Sequence, residues 1–208
     1  MKVNTETILK DLLNSGETLV MPNAYDPISA KIIQYVGFSA IQCLGYGFSI
    51  EKGYKSEDEI DLTMNLKMTR EIVNSVNIPV MADAEDGYGD GNCLADVVKE
   101  FINVGASGMN IEDQNLHANS DMLQIIHENS MLDKLKVVIK MKNELGKDSF
   151  IINSRTDALL SLPHRSEALK IAIERANKYL EAGADLCFIP YVKTLDEVKL
   201  LSYNIITL

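Results

Sequence analysis

Three carboxylate side chains lie where two predicted strands end, and together they could bind a metal ion. Residues 78–82 form an apolar run that predicts a buried strand, and Asp83 and Glu85 come directly after it. Residues 107–111 predict another strand, which ends in Glu112. Acids at the carboxyl ends of parallel strands are where α/β enzymes place their chemistry. Because carboxylate oxygens are preferred ligands of hard cations, the pattern predicts a site for an ion such as Mg²⁺.

The spacing of these acids leaves a second interpretation open. Asp83 and Glu85 are separated by one residue, so their side chains share a face only if the backbone is still extended there. An acid-rich loop after a strand can equally be a solvated turn without a ligand. Asp86 and Asp113, which follow the candidate ligands, could orient them by hydrogen bonds, although for Asp86 we favour a solvated loop position.

A further predicted strand, residues 150–155, ends in an arginine. The guanidinium of Arg155 could bind a carboxylate or a phosphonate through two parallel hydrogen bonds. It could also form a purely structural ion pair with Asp157 or with a neighbouring acid. Asn153 could hydrogen-bond to a substrate, or it could satisfy backbone groups at the end of the strand.

Strands and helices alternate along the chain, which predicts a parallel sheet covered by helices. Three segments share one pattern, in which a helix ends at a glycine and a short turn leads into the next strand; the glycines are Gly37, Gly105 and Gly183. Strands are predicted at residues 19–22, 39–44, 78–82, 107–111, 150–155, 186–190 and 204–208.

This order predicts a (β/α)8 barrel of the TIM type, in the α/β class. We expect residues 1–208 to form a single barrel domain that stops after about seven strands, with the C-terminal strand and helices missing. The chain would then be a fragment, or its sheet would be open or completed by a partner. An open, doubly wound sheet is the alternative fold.

The composition restricts the possible partners. The 208 residues carry 30 acids against 20 bases, a formal net charge of −10, which argues against nucleic acid and anionic membrane surfaces as partners. Cys43, Cys93 and Cys187 form no Cys-x-x-Cys motif, so we expect no zinc site, and free thiols fit a cytoplasmic location. We see no secretory signal, and no apolar run approaches the ~20 residues that span a bilayer.

Three motifs make the chain resemble the isocitrate lyase and phosphoenolpyruvate mutase superfamily. They are Asp-Ala-Glu-Asp-Gly-Tyr-Gly at residues 83–89, Asn-Ile-Glu-Asp-Gln at 110–114 and Asn-Ser-Arg-Thr-Asp-Ala at 153–158. The resemblance covers nearly the whole chain, from residue 21 onward. It implies a (β/α)8 barrel that commonly exchanges its last helix between the subunits of a homo-oligomer, a dimer or tetramer. It also implies Mg²⁺ and a small α-keto acid or phosphonate substrate.

The resemblance assigns roles to individual residues. It implies that Mg²⁺ is held, directly or through water, by Asp83, Glu85 and Glu112. It implies a substrate-binding arginine at Arg155 and a loop in contact with the substrate carboxylate at Cys43, Leu44 and Gly45. From the residues alone, Cys43 is instead a small hydrophobic side chain of the core. The polar segment 114–130 corresponds to a mobile gate over the site.

The sequence also departs from this superfamily. The lyases for isocitrate and methylisocitrate carry a general-acid cysteine in the gate, whereas residues 114–121 contain no cysteine, which argues against a tricarboxylate lyase. Glu85 stands where most members have Asp, so metal binding there could involve a bridging water. A further family acid aligns with Ser56, and Glu57 or Asp58 could replace it.

We therefore predict a Mg²⁺-dependent enzyme that cleaves or rearranges a C–C or P–C bond of a small α-keto acid through an enolate, with Arg155 and Asp83 as catalytic residues. Phosphoenolpyruvate mutase-like and keto-acid lyase or decarboxylase activities both remain open. The alternative is a degenerate, non-catalytic barrel that binds a small acid or a partner subunit. The missing gate cysteine, the change at Ser56 and the early end at Leu208 favour that alternative.

Overall fold

A computed structural model describes residues 4–116 and 123–206. Within these ranges one parallel sheet contains the strands β1 (Asn23–Ala24), β2 (Ile41–Cys43), β3 (Val80–Asp83), β4 (Gly108–Glu112), β5 (Ile151–Arg155) and β6 (Leu186–Phe188). Each strand pairs with the next one along the chain. A doubly wound sheet reverses its strand order at a switch point, whereas a (β/α)8 barrel keeps the order of the sequence. The predicted α/β barrel class is therefore confirmed.

Helices pack around the outside of this sheet. The described ranges contain α1 (Thr5–Leu13), α2 (Pro27–Val36), α3 (Gly45–Lys52), α4 (Leu62–Ser75), α5 (Gly91–Asn103), α6 (Glu128–Glu144), α7 (Ala158–Ser161), α8 (Arg165–Glu181) and α9 (Leu195–Asn204). From α2 to α9, the long helices α2, α4, α5, α6, α8 and α9 each pack against the next. In α1, Leu9 is fully buried near the amino ends of the strands, against Met81 and Ile151. No helix among the described residues is both long and apolar enough to cross a membrane.

Local sequence signals account for the helix ends. Asp26 caps α2 by accepting a 2.6 Å hydrogen bond from the Ser29 amide. The three glycines of the repeated pattern have φ angles of 103° at Gly37, 91° at Gly105 and 105° at Gly183. Glycine adopts this left-handed conformation at little steric cost, so it ends a helix and turns the chain into the next strand.

The first strand lies later than predicted. Residues 19–22 are not in the sheet, and pairing with β2 begins where the Gln42 amide donates a 3.1 Å hydrogen bond to the Pro22 carbonyl. Pro22 has no N–H of its own to donate to a ladder. The strand that does form covers Asn23–Ala24.

The predicted strand at residues 204–208 is wrong in its described part. Asn204 is the last residue of α9, and the Ile205 amide still donates a 2.9 Å hydrogen bond to the Leu201 carbonyl. Residues 207–208 lie outside the described residues. The sheet described by the structure thus has six strands rather than about seven.

Candidate active site

A cavity of about 710 Å³ lies at the carboxyl ends of the strands. Five of the eight predicted site residues line it, namely Cys43, Leu44, Asp83, Asn153 and Arg155. The other three, Gly45, Glu85 and Glu112, are buried against it. The parallel strands end at the same edge of the sheet, so residues far apart in sequence meet there.

Asp83 is the last residue of β3, and its carboxylate is held in place from one side. It is 6% exposed, and its Oδ2 accepts a 3.0 Å hydrogen bond from the Gly45 amide. Its Oδ1 accepts no hydrogen bond from the described residues. Its backbone carbonyl accepts a 2.8 Å hydrogen bond from Asn65 Nδ2. One carboxylate oxygen is therefore oriented but left available for a ligand.

Glu85 reaches the same point although the backbone is not extended there. Its φ is 48°, so the chain has already turned, yet the side chain is buried. A Cβ placed on Gly45 would lie 1.7 Å from Glu85 Oε1 and 3.3 Å from Asp83 Oδ2. The two carboxylates converge because residue 45 has no side chain. Their burial rules out the solvated acidic turn.

Arg155 forms ion pairs and lines the cavity at the same time. Its Nη1 lies 2.8 Å from Glu112 Oε2, and its Nη2 donates a 2.9 Å hydrogen bond to Asp157 Oδ1. Its guanidinium carbon lies 5.7 Å from the centre of the Phe188 ring. The structural ion pair that we considered is present, and it holds the guanidinium at the cavity wall.

The acids of the site carry raised pKa values. Burial raises the pKa of Glu85 well above its usual range, and the charges of Asp83 and Glu112 raise it further. Burial also raises the pKa of Glu112 well above its usual range, and Arg155 partly opposes this effect. The pKa of Asp83 is raised by burial and lowered in part by the Gly45 hydrogen bond. An added positive charge at this point would stabilise the ionised carboxylates.

The donor set fits Mg²⁺ held partly through water. Within residues 4–116 and 123–206, no three His, Cys, Asp or Glu side chains converge closely enough to form a metal cage by themselves. Asp83 Oδ1, Glu85 Oε1 and Glu112 Oε1 are nevertheless buried oxygens without hydrogen-bond partners. Mg²⁺ in proteins usually takes one or two carboxylates and completes its octahedron with water and substrate oxygens.

Cys43 and Leu44 form the wall contributed by β2 and the start of α3. Cys43 is 1% exposed and packs in the hydrophobic core while also lining the cavity. Burial raises the pKa of its thiol to about 12, so the thiol stays protonated at neutral pH. The burial of Cys43 in this hydrophobic cluster supports its interpretation as a core side chain.

The other acids near the site, Asp86, Asp113 and Glu57, differ in burial and in hydrogen bonding. Asp86 is half-buried rather than fully solvated, and it accepts a 3.0 Å hydrogen bond from the Tyr88 amide. Asp113 is fully buried and accepts a 3.0 Å hydrogen bond from the Asp157 amide. Glu57 lines the cavity, whereas Ser56 is exposed and Asp58 is not among the lining residues.

Two buried asparagines that support the site were missed at the sequence level. Asn65 Nδ2 donates to the Asp83 carbonyl and to the Tyr88 hydroxyl, at 2.8 Å each. Asn110 Oδ1 accepts a 2.9 Å hydrogen bond from Asn153 Nδ2, which leaves Asn153 Oδ1 without a partner. One signal could have revealed Asn65, because it shares the apolar face of α4 with Met68 and Ile72.

The gate predicted over residues 114–130 is described only at its two ends. Gln114 and Leu123 line the cavity, and Gln114 pairs with Ile125 in an antiparallel bridge. Residues 117–122, including His117, lie outside the described residues. Residues 128–130 already belong to α6. The role of this segment as a gate stays a prediction.

Strand order and the position of the cavity define a barrel of the TIM type, and comparisons with known proteins identify its family. A model of the phosphoenolpyruvate phosphomutase family matches residues 9–207. The chain is 28% identical to 2,3-dimethylmalate lyase of Eubacterium barkeri, over 98% of this chain and 69% of that enzyme. It is 30% identical to the chloroplastic carboxyvinyl-carboxyphosphonate phosphorylmutase of Arabidopsis thaliana, over 93% of this chain and 57% of that enzyme.

Solved structures agree with this assignment. Phosphonopyruvate hydrolase in complex with oxalate and Mg²⁺ superimposes with a TM-score of 0.85 at 25% identity, over 97% of this chain and 68% of that chain. Oxaloacetate acetylhydrolase with 3,3-difluorooxalacetate superimposes with a TM-score of 0.86 at 23% identity, over 99% of this chain and 70% of that chain. The chain belongs to the phosphoenolpyruvate phosphomutase family, within the phosphoenolpyruvate mutase and isocitrate lyase superfamily. Its relatives include a lyase and a phosphorylmutase of this superfamily, which confirms the predicted superfamily.

Proposed function

We propose that the chain forms the catalytic barrel of a Mg²⁺-dependent enzyme that cleaves or rearranges a C–C or P–C bond of a small α-keto acid through its enolate. The observation that carries the proposal is the group of buried, unpartnered carboxylate oxygens at Asp83, Glu85 and Glu112, beside Arg155. The lyase and phosphonomutase activities of the relatives support it. So does the phosphonopyruvate hydrolase complex with Mg²⁺ and oxalate, an enolate mimic.

The residues of the site would have separate roles in metal binding and substrate binding. Asp83, Glu85 and Glu112 would hold Mg²⁺, which when bound would stabilise the negative charge developing on the keto oxygen. The Gly45 amide keeps the Asp83 carboxylate oriented. Arg155 would bind the far anionic group of the substrate through its N–H donors. Asn153 offers a free amide oxygen to a substrate hydroxyl.

The charges around the cavity favour a small substrate. Arg155 is the single cationic side chain among the described residues that line the cavity. A tricarboxylate has three anionic groups, and once Mg²⁺ holds one end and Arg155 a second group, the described lining offers no further cation for the third. We therefore favour phosphonopyruvate, oxaloacetate or a substituted malate over a tricarboxylate.

Calorimetry with oxalate tests the proposal. We expect oxalate to bind the wild-type chain only in the presence of Mg²⁺, and Asp83→Ala to lose this binding because a metal ligand is removed. Asp133→Ala is the control, since this acid is 73% exposed on α6 and is not among the residues that line the cavity. A folded wild-type chain that binds no oxalate with Mg²⁺ would instead support the non-catalytic barrel.

A further inference from the structure

A buried network joins α8 to the end of β4. Asp113 follows β4 directly and is fully buried. Its Oδ2 accepts hydrogen bonds from Arg175 Nη1 at 2.7 Å and from the Tyr179 hydroxyl at 2.8 Å. Its Oδ1 accepts a 3.0 Å hydrogen bond from the Asp157 amide. Both oxygens of this carboxylate are thus occupied, in contrast to the carboxylates that face the cavity.

The network continues to the cavity wall through Asp157. Its carboxylate Oδ1 accepts from Arg155 Nη2 at 2.9 Å and from Arg155 Nε at 3.3 Å. A backbone hydrogen bond also joins the two strand ends, since the Asp113 amide donates a 3.1 Å hydrogen bond to the Arg155 carbonyl. Asp113 therefore holds the backbone of Asp157 in place, and Asp157 together with Glu112 sets the direction of the guanidinium.

The same residues hold both described ends of the connection from β4 to α6. Arg175 Nη2 donates a 2.9 Å hydrogen bond to the Ile126 carbonyl. The Ile126 amide donates a 2.8 Å hydrogen bond to the Asp113 carbonyl. Asp113 lies at the start of this connection and Ile126 close to its end, so α8 fixes the base of the loop as well as the guanidinium.

We propose that Asp113, held by Arg175 and Tyr179, is a positioning residue that sets the orientation of Arg155 for binding the anionic group of the substrate. The proposal rests on the function proposed above for the anion-binding role of Arg155. Its structural part, the control of the guanidinium by Asp113, does not depend on any ligand. The residue acts through Asp157 and touches neither the cavity nor a reacting atom.

The chain offers a matched control for a purely structural role. Asp185 accepts a 2.8 Å hydrogen bond from the Ile152 amide of β5 and another of 2.8 Å from Lys142 Nζ. It thus has the same kinds of partner as Asp113, a backbone amide and a cation, but near the amino end of β5. Asp185→Asn should cost stability without changing Arg155.

Binding measurements form the first half of the test. We expect Asp113→Asn to weaken Mg²⁺-dependent binding of 3,3-difluorooxalacetate, which carries the far carboxylate that oxalate lacks, by about 10- to 100-fold. Tyr179→Phe should weaken it less, while Asp185→Asn leaves it unchanged. In an Arg155→Lys background, Asp113→Asn should have no further effect, because the residue through which it acts is gone. Equal losses in Asp113→Asn and Asp185→Asn, or an undiminished loss in the Arg155→Lys background, would overturn the proposal.

A spectroscopic measurement separates this proposal from the proposed function. The Nε–H signal of Arg155, assigned by its absence in Arg155→Lys, reports the hydrogen bond to Asp157 without any ligand. We expect its exchange with solvent to become faster in Asp113→Asn and in Tyr179→Phe, but not in Asp185→Asn. If wild type binds no oxalate, the proposed function fails while this comparison still decides the positioning role. Unchanged exchange in Asp113→Asn and Tyr179→Phe would refute it.

Discussion

Individual carboxylates at this site lie in an unfavourable electrostatic environment when no cation is bound. Asp83, Glu85 and Glu112 are each at most 6% exposed, and Arg155 is the cation paired with one of them. Burying an unpaired charge is costly, so the pKa values of these acids are raised. Protonation then removes part of the buried negative charge. A bound cation would remove this penalty. Metal binding and protonation should therefore compete at the same oxygens.

A pH dependence of stability follows from these raised pKa values. Because the folded chain binds protons at Glu85 and Glu112 more tightly than the unfolded chain does, the free energy of unfolding should fall as pH rises above the usual carboxyl pKa of 4.5. Mg²⁺ should restore stability, and more strongly at higher pH. Urea denaturation at several pH values, with EDTA or with Mg²⁺, measures both effects.

Two features of the chain serve as controls for this prediction. Glu85→Gln removes one titrating group, so the fall in stability with rising pH should become shallower. Glu197 should change the stability in the opposite direction, because its hydrogen bond with Arg165 lowers its pKa to about 2. Its contribution to stability is lost only as pH falls toward that value. A chain whose stability rises with pH in EDTA, or responds equally to Mg²⁺ at every pH, would contradict the prediction.

Helix α6 supports the loop that carries Glu85. Lys134 on α6 is 9% exposed, and its Nζ donates a 2.7 Å hydrogen bond to the Asp86 carbonyl. The same ammonium group lies 3.6 Å from the Asp90 carboxylate. A lysine buried in this way ties the turn after β3 to the neighbouring helix, so the position of the acids depends on helix packing as well as on the strand.

We expect Lys134→Met to lower the free energy of unfolding by about 1–3 kcal/mol, because the partly buried Asp86 carbonyl loses its donor. The amides of residues 87–88 should also exchange faster in hydrogen-exchange experiments. Lys136→Met is the matched control, since Lys136 lies on the same helix but is 70% exposed in its pair with Asp133. Such exposed pairs contribute at most about 1 kcal/mol. Equal effects of the two substitutions would disprove the supporting role.

At the scale of elements, the strands that carry the site could be predicted from the sequence, whereas the first and last predicted strands were misplaced. Apolar runs ending in acids located β3 and β4, and the glycines at helix ends located the turns before β2, β4 and β6. The first strand was misplaced because two residues of pairing leave almost no periodic signal. The last was misplaced because Asn204 and Ile205 complete a helix whose stability comes from packing against α8.

Across the whole molecule, apolar side chains are exposed on the outer face of α2. Ile28 is 68% exposed, Ile32 57% and Tyr35 92%, and their spacing places them along one stripe of the helix. Exposed apolar patches on globular proteins often mark contacts with other chains. The homo-oligomer expected from the superfamily remains a prediction, and this stripe is a candidate contact.

Sedimentation velocity tests that prediction. We expect the chain to sediment as a dimer or larger species, and the double substitution of Ile32→Asp and Tyr35→Asp to shift it toward monomer. Lys31→Glu on the same helix is the control, because it changes an exposed charge without removing apolar surface. A wild-type chain that stays monomeric at all accessible concentrations would show the prediction to be wrong.

Local signals in the sequence were sufficient for the fold class, the superfamily and the candidate ligands. Strand-end acids, helix-ending glycines and an arginine after an apolar run are patterns within a few residues of one another, and a barrel brings all strand ends to one edge. Contacts between distant residues needed the folded chain. The absence of a side chain at Gly45 lets Glu85 approach Asp83, and Asp113 is bound by Tyr179, 66 residues away. Such contacts depend on packing in three dimensions, which no local spacing encodes.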